Sequence, residues 1–504
     1  LTRPATYRNS TNRDDCGSMG QSARNLRLSV ALFGYELLWG LGAFGLGLLL
    51  MWRPWIVVGA ATAFTGLIVL LRIPEAGLGA ALLTGPLAPL ENERWHPPLN
   101  SAQLFLGLAL LAWLWRGLAH RSLPLPRWRW DWAYGLFLGY ALLSLSWAPS
   151  WEDGLPEWIK WAQIGGVVIV VLSASPRAQR LLLGIALISG ALQASAGIWQ
   201  AFLRGSGPEH FRLPGLPFYR AYGTFQQPNP FAGMMGLIAP VALGLAFGLL
   251  RSPQRSVREL LIGLGALGLG GLALLAMAAS WSRGAWLGAA IAGGTLLWML
   301  PSRNRWRIIA LATPMLLGAL WWTMGEIPTP IRARLAGVTE ELQIADVRGA
   351  VVNEANFAII ERLAHWQAAV EMVRAHPWLG VGFGNYAAAY PGYALIRWPN
   401  PLGHAHNIYL NMAAETGLVG LLLYLVLWIA IGYQTWQAWR RSSGWRRGLA
   451  AGLMGAWAHL HIHQFFDNLY VANLPLLIAL YGAWVEILSR EQGASLTSGP
   501  PQTS

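Results

Sequence analysis

The chain has 504 residues, 55% hydrophobic and only 12% charged, with a mean hydropathy of +0.40. Soluble domains carry about 25% charged residues, so a water-soluble enzyme is excluded as the body of this chain. The net charge of +13 does not point to nucleic acid, because the arginines fall in short clusters between apolar runs, as in the loops on one side of a polytopic membrane protein. Glycine (58 residues) suits close helix packing, and tryptophan (29 residues) suits the two membrane interfaces. The single cysteine, Cys16, allows no intrachain disulfide.

A hydrocarbon core of about 30 Å takes about 20 helical residues. In chain order, apolar runs of that kind fall at about 28–51, 55–71, 73–89, 101–116, 131–148, 157–174, 180–203, 230–250, 259–279, 285–300, 308–323, 413–436, 448–466 and 470–488. The weakest is 73–89, which carries Glu75 and three prolines. The expected fold class is therefore all-α, a polytopic integral membrane helix bundle of about fourteen spans. Its divisions are a cytoplasmic tail (1–27), a bundle of about eleven spans (28–323), a large extracytoplasmic loop with amphipathic helices (324–412), about three C-terminal spans (413–488) and a disordered cytoplasmic tail (489–504).

Counting Arg and Lys in alternate connections puts twenty-three on the side of the N-terminal tail and thirteen on the other. Six of those thirteen lie in 324–405, a segment too long for the positive-inside rule to count. Both termini are then cytoplasmic, and 204–229, 324–405 and the turns near Ser280 and Asp467 are outside. Within the long outer segment, Ile359, Leu363, Trp366, Val370 and Val373 recur at spacings of four and three and predict one helical face. Pro377 and the glycines of PWLGVGFGNY end that helix.

The residues suited to chemistry gather on this outer side. His404 and His406, in GHAHN, stand at the start of a span, and an imidazole near neutrality suits removal of a proton from a hydroxyl. Asn407 follows directly and, like Asn229, is expected to line the outer cavity. Arg283, in SWSRGAWLG, is a charge between two apolar spans, which is costly unless it meets a polar cavity or snorkels to the interface. Arg220 and Asn229 lie in YRAYGTFQQPNPFAG, and Arg362 lies one turn before Trp366. Several arginines converging on one pocket suit a diphosphate, since guanidinium forks bind phosphate oxygens bidentately. His459, His463 and Asp467 share one face of the penultimate span at i, i+4, i+8. A metal site there is the lesser reading, and the preferred one has His463 and Asp467 lining the cavity beside His406. Neither paired carboxylates for glycoside hydrolysis nor nucleotide-binding loops are evident.

The stretch from Arg362 to Gly420, ERLAHWQAAVEMVRAHPWLGVGFGNY followed by HAHNIYLNMAAETGLVG, resembles the O-antigen ligase and O-antigen polymerase superfamily of polytopic glycosyltransferases. YGTFQQPNPFAG and SWSRGAWLG are similar to further segments of that family. The resemblance implies transfer of a glycan from an undecaprenyl-diphosphate carrier to an acceptor hydroxyl on lipid A core, another glycan or a protein. It places the reaction at the outer face of the inner membrane, with inversion and without metal or other cofactor. By motif, His406 matches the base and His404 is secondary; Arg283, then Arg220 and Arg362, match diphosphate-binding arginines. The alternative function is a secondary transporter of a small anion such as bicarbonate, which predicts midplane charges on broken helices. Glu36 and Lys160 are the main charges within the expected spans, whereas the other candidates cluster at the outer face.

Overall fold

The computed structural model describes residues 65–123, 125–213, 216–301, 303–323, 346–352 and 356–497. Apart from 65–69, these fall in one compact unit, Leu70–Ser504. The expected span at 28–51, most of that at 55–71, and Glu36 and Cys16 lie outside the described residues. Among the described residues the architecture is all-helical, with one isolated bridge between Arg212 and Tyr219.

The weak run at 73–89 is not one helix. It breaks into α1 (Pro74–Thr84), a 3₁₀ turn and α2 (Ala88–Trp95), because Pro86 and Pro89 remove backbone donors. Then come α3 (Ser101–Ala119), α4 (Asp131–Ser144), α5 (Trp151–Ser173) and α6 (Pro176–Ile198), the last extended by a π-turn to Leu203. They are followed by α7 (Pro228–Leu250), α8 (Val257–Ala279), α9 (Arg283–Met299) and α10 (Asn304–Thr323). The C-terminal part holds α11 (Phe357–Ala375), α12 (Ile408–Arg441), α13 (Gly444–His463) and α14 (Leu474–Thr497). Helix α14 runs to Thr497, well past the expected end at 488, and α12 begins at Ile408 rather than 413.

Six of the described helices are long and apolar enough to cross a membrane: α3, α5, α6 with its π-turn, α7, α8 and α12. The chain is thus a polytopic helical membrane protein in type. Small residues bring its centre together. Gly244 and Gly248 of α7 face Gly448 and Gly452 of α13, four residues apart on each helix, and a Cβ at Gly244 would collide with the Gly448 carbonyl oxygen. Two such small-residue faces let the backbones touch, which is how helices gain packing energy where lipid supplies no hydrophobic drive. Helix α7 is buried along most of its length.

Helix α11 buries a face different from the predicted one. Ile359 and Leu363 are buried as expected, but the face continues through Ile360, Ala364, Ala368, Ala369 and Met372, with Trp366, Val370 and Val373 only half-buried. The alanines decide this, because short side chains let α11 lie close to its neighbours whereas hydrophobicity alone favours the valines.

Candidate functional site

Five separate segments meet at one end of the bundle. The α12 start is fixed first: Asn407 caps the helix, its side chain accepting from the Tyr409 and Leu410 amides at 3.0 and 3.1 Å. The asparagine read from sequence as lining a cavity therefore has a backbone duty and is buried. Just before it, His406 has φ +52°, a left-handed conformation that costs a non-glycine residue about 1–2 kcal/mol. Surrounding bonds hold it there. The His406 amide donates to His404 Nδ1 (3.0 Å), Trp366 of α11 donates to the His406 carbonyl (3.4 Å), and the Ala405 amide donates to Asn411 Oδ1 (3.0 Å).

The α13–α14 turn closes over this loop. The Ile408 amide donates to the Gln464 carbonyl, and Asp467 is brought against both histidines, 3.5 Å from His406 Nδ1 and 4.0 Å from His404 Nε2. Burial would raise the Asp467 carboxyl. The close approach of His406, with the other histidines around it, outweighs that and holds it well below the usual carboxylate range. Burial, reinforced by His406, pushes His404 down to about 3. His404 is thus neutral at ordinary pH, with its proton on Nε2 because Nδ1 accepts the backbone bond. His406, with Nδ1 toward the carboxylate, keeps Nε2 for a reactant.

His404, His406 and Asp467 also form a potential cation-ligating group, with one ligand atom from each lying within 4.8 Å of the others. This differs from the set weighed in the sequence, His459, His463 and Asp467. His459 instead sits between Gly236 and Gly288, where any Cβ would strike its ring. A metal bound through His404 Nε2 would have to displace the proton that the backbone bond places there, so the donor set fits proton transfer better than ligation.

The arginines approach from the α8–α9 turn and the loop before α7. Arg220 donates from Nε to the Ser280 carbonyl (2.8 Å) and from Nη2 to Asn229 Oδ1 (3.4 Å), so it acts as a strut joining two candidate segments. Trp281, at φ +55°, makes the turn sharp, and half-buried Arg283 opens α9. Its neighbours lock onto α13: Ser282 Oγ lies 3.4 Å from His463 Nε2, and a Cβ at Gly284 would press on the His463 ring. Arg362 is half-buried on α11, its charge acting on both Glu361 and His463.

Sequence reasoning missed two groups here. His365, buried on α11, binds Tyr386 Oη through Nδ1 (3.0 Å), stacks on Tyr390 and meets the His406 ring edge-on at 5.9 Å. Burial and His406 lower its pKa to about 4. Glu361 lies one turn earlier; burial raises its carboxyl, opposed by the charges of His406 and Arg362. The i, i+4 spacing of Glu361 and His365 was the available signal.

The motif that follows HAHN is architectural. Glu415, buried, accepts from the Gly384 (2.9 Å) and Tyr386 (3.2 Å) amides. The glycine loop pairs with the broken helix through Val381 N–H to Ala414 and Gly382 N–H to Glu415 carbonyls. Gly417, at φ +66°, breaks α12 there, and a Cβ would collide with the Trp378 carbonyl.

Residues 269–425 match the family model described as O-antigen ligase. The match takes in Arg283, Arg362 and the His404–Asn407 loop; Arg220 and Asn229 precede it, and His463 and Asp467 follow it. No curated protein matches the chain. The motif resemblance to the O-antigen ligase superfamily is thus supported over this segment, which is similar to an O-antigen ligase domain.

Proposed function

We propose that this protein is an inner-membrane glycosyltransferase that moves a glycan from an undecaprenyl-diphosphate carrier to an acceptor hydroxyl on lipid A core, another glycan or a protein. The observation that carries this reading is the His406–Asp467 pair, set against half-buried arginines at one end of the bundle within and beside the matched segment. The opposite end holds arginine clusters, with Arg307 and Arg447 over Trp439, which supports a cytoplasmic placement for that end and a periplasmic one for the site.

In the reaction, His406 Nε2 takes the proton of the acceptor hydroxyl while Asp467 orients the ring and stabilises the imidazolium. The acceptor oxygen bonds to the anomeric carbon from the side opposite the carrier. The bond from that carbon to the phosphate oxygen breaks, and its electron pair leaves on the diphosphate. Arg283 and Arg362 meet that charge, and Arg220 holds the turn that presents Arg283. The scheme inverts the anomeric centre and needs no metal.

The test is turnover of a lipid-diphosphate-linked glycan by detergent-purified protein in the presence of chelator. His406→Ala should fold and bind donor yet lose about 10²–10⁴ in rate, the usual contribution of a general base. Transfer above about a tenth of the parent rate would overturn the assignment of the base.

A further inference from the structure

Next to the His406 centre lies a separate concavity of about 340 Å³, between α11 and the 397–400 segment. That is within the range, about 300–1,000 Å³, of pockets that enclose small molecules. Its lining is mixed in chemistry. Phe357, 46% exposed, packs at 5.1 Å on Trp398. Glu361 and His365 follow Phe357 at i+4 and i+8 on α11, and Arg397 and Asn400 lie beside Trp398 in the 397–400 segment.

Aromatic rings set among hydrogen-bonding side chains do not suit a lipid chain, which would strand three polar groups. It does not suit a diphosphate either, because Glu361 would repel it. The arrangement does match a pyranose ring, which offers a C–H face to an aromatic surface and hydroxyls around its edge to carboxylate, guanidinium and amide. The pocket also adjoins the reacting group. Its lining includes the His365 ring, edge-on to His406 at 5.9 Å, and the charge of His406 acts on Glu361.

We infer that this pocket is a saccharide subsite which holds a sugar ring of the acceptor next to the His406 centre. The assignment rests on the transferase reading above. It places acceptor recognition on α11 and the 397–400 segment, away from the turn that carries Arg283.

The experiment is saturation-transfer NMR on the full-length, detergent-purified protein with glucose, galactose and N-acetylglucosamine, each tested alone and without donor. At least one sugar should receive saturation from the parent protein and from His406→Ala. The signal should be lost in Phe357→Ala and in Asn400→Ala, both at exposed positions that leave the core intact. Absence of transfer to all three sugars, or signals unchanged in both variants, would overturn the subsite. Displacement of the bound sugar by a lipid-diphosphate-linked glycan would overturn its assignment to the acceptor and give the pocket to the donor. The two readings fail separately: normal turnover by His406→Ala removes the base while leaving sugar binding as measured.

Discussion

At the residue scale, the loop of His404 to Asn407 combines strain with over-determination. His406 sits at φ +52° and is held by bonds to its own amide and carbonyl and by the cap at Asn407, an arrangement in which surrounding structure outweighs a locally unfavourable backbone. Half-buried His404 and buried His365 carry a pH dependence. With folded pKa values of about 3 for His404 and about 4 for His365, against 6.5 for the free side chain, the unfolded chain binds more protons between those limits. Stability is therefore full above about pH 6.5 and falls as pH drops toward 4. Thermal unfolding followed at pH 7.5 and pH 5 should give a lower midpoint at pH 5, with a shallower slope in His404→Gln; a flat profile in the parent would contradict the burial of both rings. A second expectation concerns Arg283. If its guanidinium fork binds the diphosphate, Arg283→Lys should weaken donor affinity nearly as much as Arg283→Ala, because a lysine offers a point charge without the paired donors. Donor titration decides this, and affinity unchanged in both variants removes Arg283 from the site.

At the scale of elements, the glycine loop and the break in α12 form one unit. Glu415 replaces, for the Gly384 and Tyr386 amides, the partners that an irregular buried backbone lacks. Gly417 supplies the positive φ that lets the chain turn against Trp378. Gly417→Ala should therefore prevent correct assembly, whereas Gly432→Ala, on the same helix in open space, should be tolerated. Glu415→Ala should cost about 1–3 kcal/mol for each amide left without an acceptor. Folded yield by size-exclusion chromatography and the unfolding midpoint measure both. This unit also marks how far the sequence can be read. Hydropathy and proline positions located most described helices to within a few residues, with larger errors at the start of α5, both ends of α12 and the end of α14, and the HAHN and E-x-G-x-x-G spacings lie in the segment that the family model matches. They did not disclose that Asn407 and Glu415 work on backbone amides, since a cap and a loop anchor depend on where an irregular chain returns in space. Nor did they give the facing Gly244/Gly248 and Gly448/Gly452 pairs, because two small-residue motifs name each other only once the helices are packed. His365 escaped for a related reason: nothing in ERLAHW says that its ring lies against His406 rather than in water.

At the scale of the whole molecule, contacts between distant segments divide the bundle into two chemically different ends. Arg220 with Ser280, Ser282 with His463, and Asp467 with His406 join three turns and the α12 start at one end. At the other, the Arg129 backbone amide and the Arg490 guanidinium both donate to Glu486, while Arg307 and Arg447 share the Trp439 ring. The alternation of arginine counts along the sequence predicts about fourteen spans with both termini cytoplasmic. That prediction is testable residue by residue. In a background with Cys16 replaced by serine, single cysteines at Ser206, beside the candidate site, and at Ser443, between α12 and α13, report opposite sides. A membrane-impermeant maleimide applied to intact cells with a permeable outer membrane should label Ser206→Cys and leave Ser443→Cys unmodified until the inner membrane is opened. Labelling of Ser443→Cys from the periplasm would invert the topology. It would then place the His406 centre on the cytoplasmic side, where an acceptor exposed only at the outer face has no access, and the proposed transfer would fail with it.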